Sequence, residues 1–281
     1  MKKQSILFAL LILAIAATVA CGNSTSSFPK FTKLAFLSTR SSTTALFIAG
    51  LDGANVAPIP FSTTNTWSLS SSADGKKVAF IANGDIWVGN SDGTGQAQIT
   101  QSLRLDWARI SPDGKKIVYN AFRANSNLMN VDGTGVVAVT LPANAVACQY
   151  GSFSADSKQV VLACFGSAAG IYTVKNDGTS PKTVALRTNY SAYPFFTPDG
   201  KKVIFDGDSA TARGVFSVNL DGTGEKLLIP NYNESVVLNS NLYYADGCSG
   251  ILYKSNLDGS SAVALGDGTT FDDLFYRGGS C

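Results

Sequence analysis

Four aspartates recur in one local context: Ser-Ala-Asp-Gly-Lys-Lys at 72–77, Ser-Pro-Asp-Gly-Lys-Lys at 111–116, Ser-Ala-Asp-Ser-Lys at 154–158 and Thr-Pro-Asp-Gly-Lys-Lys at 197–202. Carboxylates at equivalent positions are the raw material of acid–base or metal chemistry. One acid per turn, mostly followed by Gly, is also what a tight turn requires: Asp bonds its own backbone and Gly takes positive φ without steric penalty. The turn explains Asp74, Asp113, Asp156 and Asp199 more fully than catalysis does. Asp206-Gly207-Asp208-Ser209 begins like a calcium loop but lacks the terminal Glu and fixed Gly, so it reads as solvated loop acids. Asp272-Asp273 reads as part of a hairpin turn. Trp67 and Trp107 start two apolar stretches and suit either a sugar-binding platform or core packing.

The chain has 281 residues and no histidine. That removes Ser-His-Asp and Cys-His nucleophile systems, imidazole bases and His-ligated metal sites. No Gly-x-Ser-x-Gly elbow occurs either. The residues point to a protein that is not an enzyme and needs no cofactor or metal. A net charge of +2 gives no electrostatic case for nucleic acid.

Lys2 and Lys3 precede an apolar run from Ile6 to Ala20, short for a membrane span and suited to a signal-peptide core. It ends in Thr18-Val19-Ala20-Cys21, followed by a polar Gly/Asn/Ser/Thr stretch. A cysteine there resembles the bacterial lipobox, with Thr18 where Leu is usual; ordinary cleavage after Ala20 is the alternative. The expected organisation is a signal peptide (1–20), a tether lipidated at Cys21 (21–30) and one folded domain (31–281). Removing the leader leaves 20 basic and 20 acidic residues, which favours tethering by acyl chains over a polybasic patch. With Gly after the cysteine, the lipobox resemblance implies outer-membrane sorting in a diderm envelope.

The elements that carry the turn acids repeat. A second Asp-Gly recurs at Asp52, Asp92, Asp132, Asp177, Asp221 and Asp258, at intervals of 40, 40, 45, 44 and 37 residues. Between turns the periodicity is two: Val78/Phe80, Ile117/Tyr119, Val160/Leu162 and Val203/Phe205 follow the first turn, with Leu34/Phe36 and Leu242/Tyr244 matching in the outer copies. Five residues before the second Asp-Gly stands an aromatic: Phe47, Trp87, Tyr172, Phe216 or Tyr253. Asn127 is the exception, read as a copy one residue short with Leu128-Met129 in its place. Four short strands in each unit, without room for a helix, predict an all-β, six-bladed β-propeller with four-stranded antiparallel blades. The first copy lacks an innermost strand, and Thr269–Tyr276 is expected to supply it and so close the ring in the first blade.

Ser-Pro-Asp-Gly-Lys-Lys-(Ile/Val)-x-(Tyr/Phe), followed by the aromatic and the second Asp-Gly, resembles the TolB-type WD40-like repeat of bacterial envelope proteins over roughly residues 31 to 276. The resemblance implies the propeller fold and a cell-envelope location, on either the periplasmic or the surface side of the membrane. TolB itself carries an additional N-terminal domain, for which this chain has no room, so its partners are not carried over.

Setting Cys21 aside leaves Cys148, Cys164, Cys248 and Cys281, an even number for an oxidising compartment. Cys148 and Cys164 flank one hairpin at near-opposite positions, as do Tyr150 and Leu162, so a 148–164 disulfide is expected. Cys248 with Cys281 would staple the closure, although three connectivities are formally open. The functional expectation is a lipid-anchored, non-enzymatic propeller that binds another envelope protein. The alternatives are a glycan or small-ligand binder using Trp67 or Trp107 at the channel mouth, and a metal-dependent, lactonase-like hydrolase.

Overall fold

The computed structural model describes residues 66–264 except 102, 122–123, 188–190, 210, 232, 239 and 246–251, together with four earlier strands. Five four-stranded antiparallel blades account for the 66–264 body. Blade I holds β5 (Thr66–Ser71), β6 (Lys77–Ala82), β7 (Asp85–Asn90) and β8 (Ala97–Gln98). Blade II holds β9 (Leu105–Ile110), β10 (Lys116–Ala121), β11 (Asn127–Asn130) and β12 (Val137–Ala138). Blade III holds β13 (Ala145–Phe153), β14 (Gln159–Gly166), β15 (Gly170–Lys175) and β16 (Lys182–Leu186). Blade IV holds β17 (Ser191–Phe196), β18 (Lys202–Asp208), β19 (Arg213–Asn219) and β20 (Lys226–Pro230). Blade V holds β21 (Asn233–Leu238), β22 (Asn241–Ala245), β23 (Leu252–Asn256) and β24 (Val263–Ala264).

The expected six-bladed ring closed by the C-terminal segment is corrected: the structure shows five propeller blades, over 66–264, and not six. The first copy forms a sheet in which β2 (Phe31–Ser38), β3 (Ala45–Gly50) and β4 (Ala57–Pro58) are joined by β1 (Leu13–Ala16) from the N-terminal apolar run. The unpaired edge of β2 is a strand template, and the four apolar residues of β1 take it antiparallel, Leu13 opposite Ala35. Residues 269–276 lie outside the described residues, as do Cys21, Cys248 and Cys281.

Alternation explains why nearly every residue of a middle strand is apolar. On β14, Val160 and Leu162 pack with Trp107, Val118 and Leu128 of blade II. The intervening Val161 and Ala163 pack with Phe196, Val203, Phe205 and Phe216 of blade IV. Each blade is buried on both faces, so its strands read as continuous hydrophobic runs. The repeated aromatic stands directly opposite the large residue of the second strand: Phe80 faces Trp87, Leu162 Tyr172, Phe205 Phe216 and Tyr244 Tyr253. In blade II, Tyr119 faces Asn127 in that same register. That copy is not short; the aromatic is replaced in place.

The turn acids do what turns need. Asp74, Asp113, Asp156 and Asp199 each accept a hydroxyl bond of 2.6 Å from the Ser or Thr two residues earlier. Each also accepts a backbone N–H two residues later, at 3.0 to 3.1 Å. In the second turn, Asp92, Asp132, Asp177, Asp221 and Asp258 bind the hydroxyl and amide of the Thr or Ser two residues on. The up-and-down connectivity places both turn families at one end of the blades. The β6–β7-type loops and the connections between blades lie at the other end, where Leu103, Val146 and Leu186 are exposed.

Candidate functional site

The first strand of each blade packs on the first strand of the next, so β5, β9, β13, β17 and β21 line the centre. All five are bulged against their partners. The pairing skips from Trp67 to Ser70, Leu105 to Trp107, Gln149 to Ser152, Ala192 to Phe195 and Asn233 to Val236. A bulge adds a residue to one strand and re-aims its side chain. Three bulge residues adopt positive φ: Ser68 (52°), Tyr150 (55°) and Tyr193 (47°). For a bulky residue this conformation is costly, about 1–3 kcal/mol, and such strain concentrates at functional positions.

Hydroxyls hold the bulged strands together. Ser68 Oγ accepts the Ala108 amide at 2.8 Å and donates to the Ala108 carbonyl, while Ser70 Oγ accepts from the Ile110 amide. Ser152 Oγ donates to the buried Pro194 carbonyl at 2.7 Å. Asp206 is fully buried at 0% exposure and binds the amide and hydroxyl of Ser235 in the next blade. Its reading as a solvated loop acid is corrected, because its carboxylate is an inter-blade strut. Asp208 pairs with Arg213 at 3.5 Å.

The half-buried side chains on β9, β13 and β17 form one cluster. Tyr150 lies 5.1 Å from Tyr193 between ring centroids, and 6.4 Å from Phe165 edge-on. Arg109 reaches past blade III: its guanidinium sits 5.7 Å from the Trp107 ring and 4.7 Å from Phe195 of blade IV. Among the described residues no hydrogen bond or ion pair reaches that guanidinium. Burial pulls its pKa down to about 10, against a smaller upward influence of Tyr193. Burial likewise pushes the Asp106 carboxyl up. It raises the Tyr150 hydroxyl too, reinforced by the nearby charge of Asp106. Among the described residues no group of three or more His, Cys, Asp or Glu side chains is placed to hold a metal.

The anticipated site residues fall unevenly around this cluster. Trp107 is 6% exposed and belongs to the core between blades II and III, presenting only a ring to Arg109. Trp67 lies on β5, and its side chain is outside the described part. Cys148 and Cys164 are register partners joined by a disulfide, two residues before the Tyr150 bulge. Tyr150 is not opposite Leu162, as expected by counting, because the bulge intervenes. Counting identified none of Asp106, Arg109, Tyr150, Tyr193 and Phe195 as a site, since aromatic and charged residues in inner strands read as packing.

No protein-family model and no curated protein matches the chain. Solved structures do. TolB from Acinetobacter baumannii aligns with a TM-score of 0.66 at 19% identity, over 81% of this chain and 62% of that one. A chain of a nidogen/laminin complex aligns at 0.65 and 15% identity, over 83% and 92%. Oligogalacturonate lyase from Vibrio parahaemolyticus aligns at 0.61 and 13% identity, over 85% and 75%. The likeness is one of fold. This chain spans less than two thirds of the Acinetobacter TolB chain, and the three neighbours differ from one another in what they are named for.

Proposed function

We propose that the protein is an envelope-tethered binding module whose channel face, built on blades II to IV, engages another protein. The observation that carries this is the cluster of Arg109, Tyr150, Tyr193 and Phe195 on strained, bulged inner strands. Tyr, Trp and Arg are the residue types that dominate binding energy at protein interfaces, and rigid strands hold them without an ordering cost. Fold likeness to a chain of the nidogen/laminin complex supports a protein partner; likeness to oligogalacturonate lyase supports a saccharide. The glycan alternative moves from Trp107, which is buried, to the half-buried Tyr150–Tyr193 pair. Binding assays on Tyr150→Ala and Tyr193→Ala separate the two: loss of an envelope partner supports the first reading, and loss of oligosaccharide binding without a partner supports the second.

We place the protein at the membrane through an acyl group on Cys21. Processing before Cys21 also releases Leu13–Ala16, so the mature protein lacks β1. Intact mass spectrometry and fractionation of wild type and Cys21→Ser test this. The expected result is a diacyl or triacyl mass adduct beginning at Cys21, with Cys21→Ser leaving the membrane fraction. A Cys21→Ser protein that stays in the membrane fraction contradicts it.

A further inference from the structure

We propose that the channel face of blades II to IV is a carboxylate-binding site: Arg109 grips the anion, and Tyr150, Tyr193 and Phe195 receive the apolar body that carries it. The protein-binding reading supplies the source, a carboxylate borne by a polypeptide partner, and the inference rests on that reading for the source alone.

The argument begins with an imbalance. A guanidinium carries five N–H donors in a planar fork that matches a carboxylate, and burying one without a partner is costly. Among the described residues Arg187 offers the comparison: it lies against Phe205 and Phe216 and has a counter-charge in Glu225 at 2.9 Å, although its Nε and one terminal nitrogen are buried without a hydrogen-bond partner. Arg109 has the same kind of aromatic company, Trp107 and Phe195, but among the described residues no ion pair with a carboxylate. Both rings lie within cation–π reach of its cationic centre, and a carboxylate on the N–H fork would complete the set. The protein supplies two thirds of a familiar arrangement, and the missing third is an anion.

The neighbours restrict what that anion is attached to. Tyr150 and Tyr193 take positive φ at adjacent bulges and meet each other at 5.1 Å, and Tyr193 is close enough to Arg109 to act on its charge, which brings this ring surface to the guanidinium's side of the cluster. A bare inorganic anion leaves that surface unused. An aromatic or branched residue carrying a carboxylate uses both. Asp106 lies close enough to Tyr150 for its charge to act on the hydroxyl, so that end disfavours a second negative group. The fitted ligand is therefore a monocarboxylate with an apolar body, such as a C-terminal hydrophobic residue.

Isothermal titration of the mature chain with N-acetyl-phenylalanine, N-acetyl-phenylalaninamide, acetate and inorganic phosphate tests this. Charge-assisted bonding predicts that the acid binds about tenfold to a hundredfold more tightly than its neutral amide. Arg109→Met abolishes that preference and Arg109→Lys keeps part of it. Because the amide is a change in the ligand, the result does not depend on any variant folding. Equal binding of acid and amide overturns the site. Acetate or phosphate binding as tightly as N-acetyl-phenylalanine overturns the role of the tyrosines. Capture of an envelope partner that survives Arg109→Met overturns the site as the contact while leaving the protein-binding reading intact. An acid preference with no partner captured supports the site and overturns that reading.

Discussion

Replacing Arg109 by Met is expected to stabilise the fold while removing its binding function. The guanidinium is held at about 10 by burial. That lowering from the ordinary arginine value, at 1.36 kcal/mol per pH unit, is about 3 kcal/mol against the charged form. Two ring contacts, at 5.7 and 4.7 Å, return about 0.5–1 kcal/mol each. Met keeps the unbranched stem between Trp107 and Phe195 and adds sulfur–aromatic contact without a charge to desolvate. The net expectation is a gain of about 1 kcal/mol, or about 2–4 °C in Tm for a body of this size. Differential scanning calorimetry at pH 7 measures it, with Arg109→Lys as the control that keeps a charge and gains nothing. A fall of more than about 2 °C in Arg109→Met would refute the reasoning. It would mean that the cation holds the two rings together as a structural pillar and has no need of an anion. Stability stored against function in this way is common at binding sites.

Three further outcomes follow from the geometry. Cys148→Ser/Cys164→Ser opens a cross-link spanning 16 residues, and loop-closure entropy predicts a loss of about 3 kcal/mol; an unchanged urea midpoint contradicts it. Ser152→Ala leaves the buried Pro194 carbonyl without its hydroxyl donor, costing about 1–3 kcal/mol and loosening Tyr193, so carboxylate affinity falls with stability; unchanged affinity on titration contradicts the coupling. Hydroxyl bonds from Ser72, Ser154 and Thr197 lower the carboxyls of Asp74, Asp156 and Asp199 below their ordinary value of 3.8. Their stabilisation is complete above that value and is lost as pH falls through it toward the depressed folded value. Tm measured from pH 6 to pH 2.5 should drop on that limb, and Asn at all three positions should flatten it.

What could be read in the residues was whatever repeats or alternates. The Asp-Gly pairs mark turns by their own chemistry, and the register they set placed Cys148 opposite Cys164. Counting failed where a strand gains a residue. The bulge after Gln149 displaces Tyr150 from Leu162, and nothing in Gln-Tyr-Gly-Ser announces it, because a bulge is set by how neighbouring inner strands pack. Asp206 looked like a loop acid because its partner, Ser235, lies 29 residues away in another blade. Arg109 was equally silent: its meaning depends on Phe195, which reaches it across an intervening blade. Closure was misread for a different reason. An apolar four-residue strand carries too little pattern to be told from a leader core, and Leu13–Ala16 occupies the edge assigned to the C-terminal segment.

The central claim is that a partner enters the channel at Arg109. Site-specific photo-crosslinking in intact envelopes tests it most directly, with the reactive residue in place of Tyr193 and, as a control, in place of the exposed Thr223 on the turn-bearing end. The account predicts an adduct at position 193 alone, competed by N-acetyl-phenylalanine and lost in the Arg109→Met background. The same adduct at both positions, or one at 193 indifferent to Arg109→Met, contradicts it.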